Sequence, residues 1–124
     1  MDGIRSYRDL RVWQEAMILA EDSYRFSATL PREELFGLMS QIRRAAVSVP
    51  ANIAEGYGRD SKGSYVSFLK TAQGSLKELE THLILAQRLK LGSFAAAEGL
   101  LARCESIGRM MRGLIRSLQG APEA

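Results

Sequence analysis

From Tyr65 to Ala86 the residues Tyr65, Leu69, Ala72, Leu76, Leu79, Leu83 and Ala86 recur at alternating steps of four and three. At about 3.6 residues per helical turn this spacing lines them along one side of a helix, whereas a strand would scatter them over both of its faces. The repeat continues in Phe94, Ala97, Leu101, Cys104, Ile107, Met111, Leu114 and Leu118. Two long helices with one apolar stripe each must bury those stripes against further helices. No period-two alternation competes with this pattern.

Two earlier segments supply the missing partners. The first runs from about Asp9, as N-cap, to about Ser27, with an apolar seam of Leu10, Trp13, Met17, Ala20 and Tyr24. A second seam, Val12, Ala16, Leu19 and Phe26, lies on another side. Two apolar faces imply more than one neighbour, and Val12, Ala16 and Leu19 are assigned to a contact with another subunit. Thr29-Leu30-Pro31 then breaks the chain. Glu33 and Glu34 fall in the first turn of the next helix, where the dipole favours acids. Within that helix Pro50 has no N–H for the carbonyl of Ala46 and crowds it, so a kink is expected, with Ser48 capping the half that restarts.

Gly56 and Gly58 end the second helix, Asp60 or Ser61 opens the third, Gly92 stops it and Ser93 caps the fourth. A frayed tail is expected over residues 120–124. The expected fold is all-α: one domain over residues 1–124, an up-down antiparallel four-helix bundle with a proline-kinked second helix. Its helices cover about 9–27, 31–57, 61–91 and 93–119, because short connections join antiparallel neighbours.

The 124 residues are 46% hydrophobic and 25% charged, the balance of a globular chain with a real core. A single cysteine, Cys104, rules out an internal disulfide and fits a reducing compartment. No apolar run follows the first charges, and none approaches the ~18 residues of a membrane span. A cytoplasmic location is expected.

Catalytic chemistry has little material. Cys104 falls on the apolar seam of the fourth helix, where burial suppresses thiolate formation, and His82 is the one histidine. One histidine cannot build a di-iron site, and no Cys/His cluster offers zinc ligands. The Gly-rich stretch 56–64 lacks the Gly-Lys-Ser/Thr ending of a phosphate-binding loop and follows a helix. It reads as a turn, with phosphate contact at Arg59 and Lys62 as the alternative. No enzyme, metal or cofactor is expected.

The second helix carries something more particular. Gln41, Arg44, Ser48, Asn52, Glu55 and Arg59 share one face, beside an apolar seam of Leu38, Ile42, Ala45, Val49 and Ile53. Ser48, Asn52 and Glu55 are placed at a subunit interface, where polar groups would fix register. Alternatively, Ser48 and Asn52 satisfy carbonyls freed by Pro50. Gly74 and Ser75 in the third helix would let another backbone approach closely. Arg109, Arg112 and Arg116 form a basic stripe on the fourth helix, and Arg5, Arg8 and Arg11 recur near the N-terminus. Such stripes are more often solvated faces than sites.

The run Gln41-Ile42-Arg43-Arg44-Ala45-Ala46-Val47-Ser48-Val49-Pro50-Ala51-Asn52-Ile53-Ala54-Glu55-Gly56 closely resembles the signature of the bacterial four-helix bundle family also called 23S-rRNA-intervening-sequence proteins. The match extends to residues 9–17, 36–38 and 68–81, nearly the whole chain. The resemblance implies a four-helix bundle, often a homopentamer. It is also similar to the accessory proteins of diversity-generating retroelements, basic pentameric barrels that associate with a reverse transcriptase and nucleic acid. The expected role is therefore a non-catalytic pentameric scaffold for RNA or an RNA–DNA hybrid, contacted by Arg43, Arg44, Arg59, Lys62, Lys70 and Lys77. The alternative is a protein–protein adaptor docking a partner such as a polymerase through Val12 and Leu19. At a net charge of +3 a single copy would hold nucleic acid only at roughly 10⁻⁴ to 10⁻⁶ M, so a charge-based role requires self-association.

Overall fold

The computed structural model describes residues 3–120, so Ala121–Ala124 of the expected frayed tail lie outside the described part. Four helices make up the fold: α1 (Arg11–Ser27), α2 (Leu38–Tyr57), α3 (Lys62–Arg88) and α4 (Phe94–Gln119), with no strand among the described residues. Helices adjacent in sequence pack on one another, and α1 packs on α4 to close the square, with no close backbone approach across either diagonal. The direction of the helices follows from who meets whom. Arg43, early in α2, donates to the hydroxyl of Ser27 at the end of α1 at 2.7 Å. Gly56, late in α2, lies against Tyr65 and Phe68, early in α3. Gly92, between α3 and α4, lies against Phe26 and Leu30 at the end of α1. Neighbours therefore run antiparallel all round, and the bundle is up-down.

The core follows the periodic seams of the sequence on α2 and α3. Ile42, Ala45, Val49 and Ile53 face Leu69, Ala72, Leu76, Leu79, Leu83 and Ala86, all buried. On α1 the second seam goes fully inward, while the first keeps Ala20 in the core and Leu10 and Trp13 packed at its edge. Val12, Ala16, Leu19 and Phe26 are buried in the core of one chain, so they are not available to a second subunit, while Met17 and Tyr24 stay exposed. Trp13 and Tyr24 of the first seam settle at the rim, where their polar ends stay wet. Trp13 is half-buried edge-on to Tyr7 at 5.2 Å, and Tyr24 lies under the Arg43 guanidinium at 4.9 Å. On α4, Leu100 and Ile115 are buried where Leu101 and Leu114 were expected, and Phe94 is exposed.

The helix ends differ from expectation where local hydrogen bonds intervene. Asp9 does not cap α1. Its carboxylate accepts from the N–H groups of Arg5 and Ser6 at 2.8 and 3.2 Å, closing a capping box around the 3-10 turn Tyr7–Asp9. The second helix does not begin at Pro31. A 3-10 turn, Arg32–Glu34, comes first, and the Glu34 carboxylate accepts from the N–H of Leu38 at 3.0 Å, so the acid serves the α2 dipole from outside the helix. Ser61 and Ser93 cap α3 and α4 as read. α3 ends at Arg88 in a Schellman arrangement, Leu91 N–H to Ala86 C=O and Lys90 N–H to Gln87 C=O. Lys90 takes a φ of 60°, where glycine is usual.

α2 runs unbroken through the buried Pro50, so Ser48 caps no second half-helix. Gly56 is not a terminator either; it sits inside α2 because a Cβ there would stand 2.7 Å from Phe68 Cβ and 3.2 Å from the Tyr65 carbonyl. Gly74 behaves oppositely. Nothing lies within 4 Å of where its Cβ would be, so no backbone approaches it within the chain. Gly56→Ala should therefore cost about 1–3 kcal/mol by overpacking, whereas Gly74→Ala should add about 1 kcal/mol of helix propensity. Urea unfolding of the two variants checks the pair, and a gain at Gly56 would contradict this packing.

Candidate functional site

The polar face of α2 meets α3 within one chain. Ser48 and Ser75 share a hydrogen bond of 2.7 Å between hydroxyls, and the Asn52 amide donates to the Ser48 hydroxyl at 2.9 Å and to its carbonyl at 2.8 Å. Asn52 thus serves the Ser48 carbonyl, not the Ala46 carbonyl that Pro50 leaves without its usual donor. Ser75 is buried, and the bond to Ser48 satisfies a hydroxyl that would otherwise be stranded. Further along, Arg59 bonds Glu55 at 3.3 Å and lies over the Phe68 ring at 4.5 Å. Tyr57 and Tyr65 meet edge to face at 6.0 Å beside Gly56. Burial, reinforced by Tyr57, raises the pKa of Tyr65 above the usual phenol value. The contacts of Ser48 and Asn52, and the Glu55–Arg59 pair, thus tie α2 to itself and to α3.

The six basic residues expected to contact nucleic acid do not form one patch. Arg43 is held by Ser27 and Tyr24 at the other end of α2, next to Arg44. Lys77 pairs with Glu80 at 3.3 Å. Lys62 and Lys70, in contrast, line a groove between the beginning of α3 and the end of α4. Two adjoining hollows of about 410 and 420 Å³ meet there at Gln119. The second brings in Arg112, Arg116 and Gln73, over a floor that includes Val66 and Ile115. No acidic residue lines either hollow. Lys62, Lys70, Arg112 and Arg116 are all exposed and make no salt bridge among the described residues. The first turn of α3 opens into the same groove, and helix N-termini present unpaired N–H donors.

Reading cations helix by helix hides this groove. Arg112 and Arg116 lie far from Lys62 and Lys70 in sequence, and only the antiparallel pairing of α3 with α4 joins them. Two further arginines of α4 have structural occupations. Arg103 ties α4 to α1 through Glu15 at 3.2 Å and Asp22 at 4.0 Å, and Arg109 lies 3.9 Å from Glu105.

Cys104 is buried among the core side chains, and burial, with Glu80 nearby, pushes its thiol up to about 12. Nε2 of His82 is buried without a hydrogen-bond partner. Among the described residues no group of three His, Cys, Asp or Glu side chains converges on a point where a metal could sit. No helix of the described residues is long and apolar enough to cross a membrane.

Two measurements probe these assignments. Ser48→Ala and Ser75→Ala should each cost about 1 kcal/mol, with a double-mutant coupling of about 0.5–1 kcal/mol because they remove one shared bond; additive losses would separate the two hydroxyls. Cys104 should resist alkylation at pH 8 in the folded protein, since the thiolate is scarce well below its raised pKa, and react promptly in denaturant. Rapid native labelling would show that the seam opens.

A solved structure of a protein of unknown function from the S23 ribosomal protein family of Bacteroides thetaiotaomicron VPI-5482 has the same fold. It matches at a TM-score of 0.76 and 22% identity, over 85% of this chain and 98% of that one. No curated protein matches the sequence. The family model described as 23S rRNA-intervening sequence protein matches residues 8–113, a span that holds α1, α2, α3, the Ser48–Asn52–Ser75 cluster and Arg112 of the groove. The chain belongs to the family of 23S rRNA-intervening sequence proteins.

Proposed function

We propose that this protein is a non-catalytic, homo-oligomeric scaffold that binds nucleic acid along the α3/α4 groove. The observation that supports this reading is four exposed, unpaired cations and two amides lining one groove without an acid. Polyanion binding needs that arrangement, because phosphate contacts come from Lys and Arg and are sequence-independent. Helix and amide donors add positioning contacts to phosphate or sugar. Each copy contributes few contacts, so useful affinity comes from several grooves on one assembly engaging the same strand. Five copies in a ring beside a reverse transcriptase is the arrangement that the family resemblance implies, and the lone cysteine fits a place for it in the cytoplasm.

The adaptor reading draws support from a different surface. Phe36 projects from the α1–α2 connection at 92% exposure, an apolar side chain open to a protein partner. Val12 and Leu19, which are buried, do not serve that role.

The groove is tested by titrating a fluorescent structured RNA and an RNA–DNA hybrid at increasing salt. Affinity should fall steeply with ionic strength. Lys62→Glu with Arg116→Glu should weaken binding by at least about tenfold, while Lys77→Glu, already paired, changes it little. Equal effects from the groove and Lys77 variants, or affinity indifferent to salt, would remove the groove from nucleic-acid binding.

A further inference from the structure

Another hollow, of about 420 Å³, lies where the end of α1 meets the beginning of α4, at the opposite end of α4 from the cationic groove. Its floor is apolar, because Phe26 and Leu100 line it and are buried. Its polar groups converge from both helices. Asp22 stands between two guanidinium groups, that of Arg25 at 2.7 Å on the same helix and that of Arg103 at 4.0 Å on α4. Arg103 also bonds Glu15 at 3.2 Å, a residue that does not line the hollow. A guanidinium has five N–H donors, so both arginines keep donors beyond these contacts. At the rim the Ser93 hydroxyl accepts from the N–H of Ala96 at 3.1 Å, and its own hydrogen remains to donate. Gly99 opens the wall. It lies inside α4, where glycine weakens a helix relative to alanine, yet nothing stands within 4 Å of where its Cβ would be. Packing inside the chain does not require this glycine, and the side chain it lacks leaves the hollow clear.

We infer that this hollow is a binding site for a small carboxylate with an aromatic or branched apolar body. Small-molecule sites of about 300–1,000 Å³ pair an apolar lining with a few directed polar groups, and this hollow does the same. The carboxylate meets the free donors of Arg25 and Arg103, whose planar forks match two oxygens, while the apolar body lies on Phe26 and Leu100. Asp22 sets the charge of the occupant. The lining holds two bases and one acid, an excess of one positive charge that a monoanion neutralises. A phosphate of two charges is repelled by the Asp22 carboxylate, and an amine by both guanidinium groups. A bound carboxylate joins α1 to α4 at the place where Arg103 already bridges them. The inference does not depend on nucleic-acid binding, because the cationic groove lies at the other end of α4.

Titrating phenylacetate and isovalerate into the full chain, followed by proton–nitrogen NMR correlation spectra, tests the inference. Saturable shifts are expected at the side-chain N–H groups of Arg25 and Arg103 and at the backbone of Ala96 and Gly99. For ligands of this size the Kd should be on the order of 0.1–1 mM. Phenylacetamide, phenylethylamine and inorganic phosphate should bind at least about tenfold more weakly than phenylacetate. Arg25→Gln and Arg103→Gln should each weaken phenylacetate by at least about tenfold. If Arg103→Gln disturbs the fold, the exposed Arg25 carries the test. Gly99→Leu should fill the hollow and abolish binding with helicity retained by circular dichroism, since leucine is the better helix former. The inference is overturned if neither carboxylate gives a saturable shift up to about 20 mM, far above the expected Kd. It is equally overturned if phenylacetamide or phosphate binds as tightly as phenylacetate, or if Arg25→Gln and Gly99→Leu leave the affinity unchanged.

Discussion

The closeness of α2 to α3 governs the rest of this bundle. At Gly56 the two helices approach until a methyl group would strike Phe68, and just past the end of α2 Arg59 covers the same ring. At Ser48 and Ser75 the approach is held by a buried hydroxyl pair, with Asn52 completing the bonds. Glycine and serine act together here: small side chains allow the approach, and hydrogen bonds fix its register. A Leu-for-Ser exchange would bury more apolar area but would hold the helices apart. The run of residues 41–56 that carries the family resemblance is therefore first a packing device.

Much of the architecture is legible in the sequence because helical periodicity survives on α2 and α3, where each helix has a single clear stripe. Leu69 to Ala86 are buried as their spacing requires. On α1 the periodicity is real but ambiguous, since two seams both satisfy it. Only packing decides that Ala16 and Leu19 go inward while Tyr24 remains at the rim under Arg43. Helix starts are similarly hard to read. Asp9 reads as an N-cap and Glu34 as a first-turn acid, yet both act from outside the helix that follows, through side-chain acceptance of backbone N–H groups.

The sequence shows half of the candidate groove. Lys62 and Lys70 stand out as basic positions on α3, but their partners Arg112 and Arg116 belong to a helix that returns to the same end of the bundle. Spacing along a chain does not encode such a meeting; topology does. Arg43 shows the converse. It looks like a nucleic-acid contact beside Arg44, yet a hydroxyl and an aromatic ring already occupy it.

The off-centre position of the α3/α4 groove, near the beginning of α3 and the end of α4, has a geometric consequence for any ring of this chain. Rotation about a single axis never turns a subunit upside down, so every groove is carried to the same rim. One side of such a circle would carry the grooves at even intervals, and the opposite side would not. The interval is set by the width of a bundle rather than by any nucleobase. A strand tracking that rim would be gripped at its phosphates with indifference to its letters.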